Sequence, residues 1–209
     1  MVKIAVVDYD MGNLHSACKG LENAGATTIV TDQADILLSA DAVLLPGVGA
    51  FDPAMQHIRE RNLEKPIHQA VESGKPFLGI CLGLQILFES SEEGSEKGLG
   101  VIPGTVKRFQ PETGITITHM GWNQLEVIQN ELPLWENLVA DPYVYFVHSF
   151  YVQPTNAEVQ AATVTHGSQT VTAAIAKDNL MAMQFHPEKS ADIGLKILAN
   201  FVDWVKQSA

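Results

Sequence analysis

Three short runs that are apolar on both faces, each ending in a turn, constrain the fold more than any other feature of the chain. They are Ile4-Ala-Val-Val7 within Lys3 to Asp8, Ala42-Val-Leu-Leu45, and Phe77-Leu-Gly-Ile80 after Pro76. A strand with one wet face alternates between apolar and polar residues, whereas a strand that is apolar throughout must be covered on both sides. Each run leads through a turn into a helix-forming stretch: Leu14 to Asn23 after the turn Tyr9 to Asn13, a helix beginning near Pro53 after Pro46-Gly-Val-Gly49, and the apolar segment Leu82 to Phe88 after Cys81. This alternation specifies an α/β fold with a mainly parallel open sheet covered by helices. The second half differs. Val101 to Phe109, Ile115 to Thr118, Tyr143 to Val152, Val159 to Val164 and Val171 to Ala176 read as strands with few helices between them, so additional antiparallel strands are expected there. Ile193, Ile197, Val202 and Val205 recur at roughly helical spacing and predict a closing helix. With 209 residues and neither repeat nor linker, a single domain over 1–209 is expected. Ser90 to Gly98 is polar enough for a surface loop whose acidic residues are simply solvated.

Charge narrows the partners. Thirteen Lys plus Arg against 24 Asp plus Glu give a net charge of −11, which argues against nucleic acid or anionic lipid as partner, since both demand positive charge. The two cysteines, Cys18 and Cys81, cannot make a disulfide framework and lack the spacing of a zinc site. A reducing, cytoplasmic setting is the simplest expectation. No stretch approaches the roughly 20 apolar residues that span a bilayer, and the apolar run before Asp8 is too short for a signal peptide.

The strongest chemical signal is Gly79-Ile-Cys-Leu-Gly83, set between a buried strand and a helix. It has the form of a nucleophile elbow with sulfur in place of oxygen. Small residues permit the sharp turn, which pushes the central side chain outward against a helix N-terminus, where backbone N–H groups favour a thiolate. Cys18 has no such setting and is expected to be an inert buried residue on the first helix. A cysteine nucleophile needs a base, and of the seven histidines His186 stands out. In Phe185-His-Pro-Glu188 an extended backbone would put His186 and Glu188 on one side, so that Glu188 orients the imidazole. Cys81, His186 and Glu188 are therefore the candidate catalytic set. His148 competes as the base, but no acid adjoins it, so it reads as packing or pocket wall. Acyl transfer also needs oxyanion donors. The backbone of Gly47, Val48 and Gly49, leaving a strand's carboxyl end, and the Leu82 N–H beside the nucleophile are the candidates. Gly47-Val-Gly49 is no dinucleotide fingerprint, because Asp52 stands where the third glycine would be. His119, His148, His186 and Glu188 have no recognised metal-ligand spacing, and neither metal nor cofactor is expected.

Gly79-Ile-Cys-Leu-Gly-Leu-Gln85 together with Phe185-His-Pro-Glu188 resembles the triad-type (class I) glutamine amidotransferases. Asp8-Tyr-Asp-Met-Gly-Asn-Leu-His-Ser16, Leu45-Pro-Gly-Val-Gly49, Gly98-Leu-Gly-Val-Ile-Pro-Gly104, His119-Met-Gly-Trp-Asn123, Tyr145-Phe-Val-His-Ser149 and His186-Pro-Glu-Lys-Ser190 narrow the likeness to the glutaminase subunits of imidazole glycerol phosphate synthases. The resemblance runs the length of the chain, with Asp10 where the family has glycine or another small residue. It implies hydrolysis of glutamine and a heterodimer with a (β/α)₈-barrel cyclase subunit that receives the ammonia. It further implies that Gln85, Ser149 and Phe150, with Gly49, hold glutamine, and that Met120, Trp122, Asn123 and Tyr145 lie near the cyclase contact. A glutaminase subunit of another synthase, a non-catalytic binding module of the same fold and a free-standing thiol hydrolase are the alternatives.

Overall fold

The computed structural model describes residues 1–12 and 14–208. In chain order the elements are β1 (Lys3–Val7), α1 (Leu14–Asn23), β2 (Thr27–Thr31), α2 (Ala34–Ser39), β3 (Ala42–Leu45), α3 (Phe51–Glu60), α4 (Glu64–Glu72), β4 (Phe77–Ile80) and the single turn α5 (Leu82–Gln85). There follow β5 (Ser90–Ser91), β6 (Gly104–Arg108), β7 (His119–Gln124), β8 (Glu126–Val127), β9 (Tyr143–His148), β10 (Phe150–Pro154), β11 (Gln160–His166), β12 (Gln169–Lys177), β13 (Leu180–Met183) and α6 (Ala191–Ser208). Among the described residues the main sheet runs β2-β1-β3-β4-β13-β12-β10-β6-β5, with β11 and β8 branching from β12. The pairs β2-β1, β1-β3, β3-β4 and β4-β13 are parallel, and those from β13 to β6 are antiparallel. A separate antiparallel pair, β7-β9, forms the second sheet.

The apolar strands are covered on both faces, as their composition requires. Ile4 and Val6 of β1 pack with Leu21 of α1 and Phe201 of α6, while Ala5 and Val7 pack with Met55 of α3 and Ile67 of α4 on the opposite face. In α6, Ile197, Leu198, Phe201, Val202 and Val205 are fully buried, each worth roughly 1.5–3 kcal/mol of apolar transfer. Cys18 is buried on α1, as expected. No helix among the described residues is long and apolar enough to cross a membrane.

Several sequence expectations are corrected. Ile115 to Thr118 is no strand: Ile115 makes an isolated bridge to Glu112, and pairing begins at His119, where β9 supplies an edge. Tyr143 to Val152 is two strands, because β9 pairs with β7 whereas β10 pairs with β6 and β12, and the chain changes sheet at Ser149. The strand expected over Val101 to Phe109 is confined to β6, and helix after Cys81 stops at Gln85. The acidic loop 90–98 is not merely solvated. Glu93 accepts the Phe51 N–H that opens α3, Glu92 pairs with Lys107, and Glu96 pairs with Arg59. Asp10, in the turn where a small residue was expected, takes φ 61°, the region glycine enters freely, and pairs with Arg61. Asn13, the end of that turn, lies outside the described residues.

Candidate active site

β3, β4 and β13 lie side by side and parallel, so the chain leaves all three at the same edge of the sheet. That geometry brings together three segments remote in sequence: Pro46 to Gly49, Cys81, and Gln184 to Glu188. Cys81 sits at φ 55° and ψ −110°, a conformation other residues rarely adopt, between a strand residue and the first residue of α5. Its N–H still bonds to the Met183 carbonyl at 2.8 Å. Both flanking glycines are packing necessities. A Cβ on Gly79 would stand 2.8 Å from Cβ of Ala182, and one on Gly83 would drive into the Leu45 carbonyl oxygen. The elbow is thus forced by close approach of α5 to the sheet.

His186 is 2% exposed, and its Nδ1 lies 2.8 Å from Oε1 of Glu188. The extended run expected here is cut short: Pro187–Lys189 forms a 3₁₀ turn, and that turn, rather than strand alternation, brings the carboxylate back to the imidazole. The His186 N–H donates to the Tyr145 carbonyl at 3.0 Å, and its own carbonyl accepts from Ser190 Oγ at 2.6 Å. Burial alone would lower its pKa. Hydrogen bonding and charge from Cys81 and Glu188 outweigh burial and raise it to about 9. With Nδ1 turned to Glu188, the Nε2 edge has no hydrogen-bond partner of ordinary geometry among the described residues. An imidazolium beside a sulfur is the setting in which a thiolate becomes a usable nucleophile.

His148 is buried differently. Its Nδ1 is 2.8 Å from the Phe150 carbonyl, which can only accept, so Nδ1 carries the proton and Nε2 is free to accept from His119 Nδ1 at 2.9 Å. His119 Nε2 in turn faces the Asn123 side-chain amide at 3.0 Å. Burial pushes His148 down to about 3 and His119 to about 4, so this pair stays neutral. Among the described residues no group of three or more His, Cys, Asp or Glu is placed to hold a metal ion.

Cys81 opens onto a cavity of about 250 Å³ whose wall includes Gly49, Gln85, Glu93, His148, Ser149 and Phe150. That is smaller than the roughly 300–1,000 Å³ of pockets for drug-sized ligands, and fits a small metabolite. Sequence reasoning missed Glu93, the cavity's charged wall residue, by treating its loop as solvated; the later hydrogen bond to the start of α3 is invisible in sequence. Val48 and Leu82 also line the cavity. The Leu82 N–H, however, donates to the Gly47 carbonyl at 3.3 Å, so in this conformation that expected oxyanion donor is engaged by the very loop that should join it. Tyr9, fully buried, donates to the Pro46 carbonyl at 2.6 Å and packs where a Gly47 side chain would go, holding the loop's first half. Gly49 takes φ 123°.

The residues expected at a partner contact divide by strand parity. Met120 and Trp122 on β7 are 65% and 52% exposed, and Trp122 meets Tyr145 of β9 edge-on, with ring centroids 6.1 Å apart. The Asn123 side chain instead turns to the opposite face, bonding His119 and the Thr165 carbonyl.

Comparison with known proteins gives the family and the fold. The family model for glutamine amidotransferase class-I matches residues 5–204. The chain is 71% identical over 206 residues to imidazole glycerol phosphate synthase subunit HisH of Cyanothece sp., covering 99% of this chain and 98% of that one. It is 67% identical to the subunit of the same name from Nostoc punctiforme, covering 99% and 98%. Among solved structures, a putative GMP synthase component from Thermoplasma acidophilum superposes with TM-score 0.75 at 19% identity over 99% of this chain and 95% of that one. PurLQS from Thermotoga maritima gives 0.75 at 21% identity, covering 98% and 99%. The last two likenesses concern the fold.

Proposed function

The chain belongs to the class-I glutamine amidotransferases, and from that membership we infer that it is the glutaminase subunit of an imidazole glycerol phosphate synthase, hydrolysing glutamine in histidine biosynthesis. The identity of 66–71% across nearly the whole chain to subunits of that one synthase disfavours service to another synthase. It acts with a partner subunit. The partner is a cyclase with a (β/α)₈ barrel, and the ammonia passes to it to form imidazole glycerol phosphate and aminoimidazole carboxamide ribotide. The chain is cytoplasmic and works as one domain.

The observation that supports the catalytic assignment is the orientation of His186: Nδ1 is committed to Glu188, which leaves Nε2 as the free edge, and Cys81 is among the groups that raise its pKa. Cys81, as thiolate, attacks the side-chain carboxamide carbon of glutamine. The C–N bond then breaks as His186 protonates the departing nitrogen, giving ammonia and a γ-glutamyl thioester. His186, now neutral, takes a proton from water, whose oxygen attacks the thioester and releases glutamate and the thiolate. Glu188 holds the imidazole's tautomer and balances its positive charge. Glutamine lies in the cavity with its amino-acid end toward Gly49, Gln85, Ser149 and Phe150, and Glu93 supplies the carboxylate that an α-ammonium group requires.

Gly47, Val48, Gly49 and Leu82 stabilise the tetrahedral oxyanion once the Gly47 carbonyl releases the Leu82 N–H. The partner docks on the face of Met120, Trp122 and Tyr145, with Asn123 behind it, and reaches the site through the Tyr145 carbonyl, which anchors the His186 backbone. The test is Cys81→Ala: the complex should lose glutamine-dependent synthesis entirely and retain synthesis from added ammonia. Persistent glutamine use, or loss of both activities in a folded complex, would refute the assignment.

A further inference from the structure

Gln184 is fully buried, immediately precedes Phe185-His-Pro-Glu188 and takes no part in the mechanism above. Its side-chain Nε2 lies 3.6 Å from Cys81 Sγ, within reach of an N–H to sulfur hydrogen bond. We propose that Gln184 is a positioning residue for glutamine hydrolysis, whose amide N–H donates to the Cys81 sulfur and holds it in its attacking orientation. The inference rests on Cys81 being the nucleophile.

An amide can be turned end for end, so the donor must be fixed by its surroundings. The Phe150 carbonyl can only accept, and it receives the His148 Nδ1–H at 2.8 Å and the Gln85 Nε2 group at 3.2 Å. That commits Gln85 to presenting its NH₂ on this side, where its other hydrogen points to Gln184 Oε1 at 3.0 Å. With Oε1 so engaged, the Gln184 NH₂ faces the sulfur. Every proton in the series from His148 to Cys81 is thereby assigned by one backbone carbonyl. The arrangement has a chemical use: the sulfur carries full negative charge at the moment before attack and again when the thioester breaks, and a buried donor aimed at it is strongest in those states. Gln184 does not line the cavity, so it acts through Cys81 and not on glutamine.

The test is the pH dependence of Cys81 alkylation by iodoacetamide in the full chain, with Cys81 and Cys18 modification separated by peptide mass. Gln184→Met keeps an unbranched side chain of similar length and removes the donor. Alkylation of Cys81 should slow about tenfold on the rising limb, with the profile displaced upward by about one pH unit, the effect of losing a hydrogen bond to a charged group. In the complex, kcat for glutamine should fall while KM stays within about threefold, because Gln184 acts on the sulfur and does not touch bound glutamine. Gln184→Leu, which also removes the donor from a residue outside the cavity wall, should displace the alkylation profile in the same direction, and serves if Gln184→Met does not fold. A folded variant with an unmoved profile would overturn the role of Gln184. If instead alkylation of wild-type Cys81 leaves glutamine hydrolysis intact, it is the nucleophile assignment itself that fails.

Discussion

Two buried histidine corners differ in charge: His148 lines the Cys81 cavity and is neutral, whereas His186, paired with Glu188, carries a proton. His186 is bounded by a carboxylate and a thiol, and is raised to about 9. His148, also buried, is bounded by a carbonyl and a neutral imidazole, and is lowered to about 3. Depth of burial therefore does not decide which imidazole can move protons; the formal charge of its neighbours does. Cys81 and Glu188 together make the difference, since removing an imidazolium from water is tolerable only with an anion in contact.

The sharpest way to break this comparison is to exchange the imidazole proposed as acid and base for an inert amide. His186→Asn should lower the glutaminase kcat of the complex by about 10⁴-fold, the upper range for a positioned acid and base, while His148→Phe should cost about tenfold or less. Equal losses in steady-state assays would mean that the two corners share the work. Glu188→Gln keeps the shape and removes the charge; it should lower kcat by up to about 10⁴-fold and bring the alkaline limb of the pH–rate profile, where the imidazolium is lost, down toward the ordinary histidine value near 6.5.

The smallest effect should appear in stability. His119 and His148, at about 4 and about 3, bind fewer protons in the folded than in the unfolded chain, so their contribution is complete above about pH 6.5 and is lost progressively on acidification. His186 has the reverse linkage: its contribution is complete below about pH 6.5 and is lost as pH rises through about 9. In thermal unfolding, His148→Phe should lower Tm at pH 7 yet flatten its fall between pH 7 and 5. His186→Asn should flatten the alkaline side instead. Identical pH slopes for the wild type and both variants would contradict the assignment of neutral and charged corners.

Legibility in the sequence followed the same division. The parallel half was readable because each strand buried on both faces is a continuous apolar run, and α1 was found from Leu14 to Asn23 without error in its bounds. β2 was missed: Thr27 to Thr31 lies at the sheet edge with partly exposed residues, so it lacks that signature. The antiparallel half was blurred for another reason. Tyr143 to Pro154 is nearly uninterrupted in strand propensity, and only the presence of β7 on one side and β6 on the other divides it at Ser149. Around the proposed site, the pairing of His186 with Glu188 and the turn at Cys81 were legible because local motifs carry them, whereas the contacts of Gln184 and Glu93 have no local mark; their partners lie far along the chain.

The sequence by itself determined a covered parallel sheet, a cysteine on a glycine-flanked elbow and a His-Pro-Glu segment, since these depend on local sterics and on the apolar period. Only the tertiary structure decided that β4 and β13 are parallel neighbours, and this adjacency brings the segments of His186 and Cys81 to the same edge of the sheet. It likewise decided that the Leu82 N–H is held by Gly47 and that one carbonyl, that of Phe150, orients the amides behind Cys81. Strand order and hydrogen-bond direction are properties of packed surfaces, and no local run of residues encodes them.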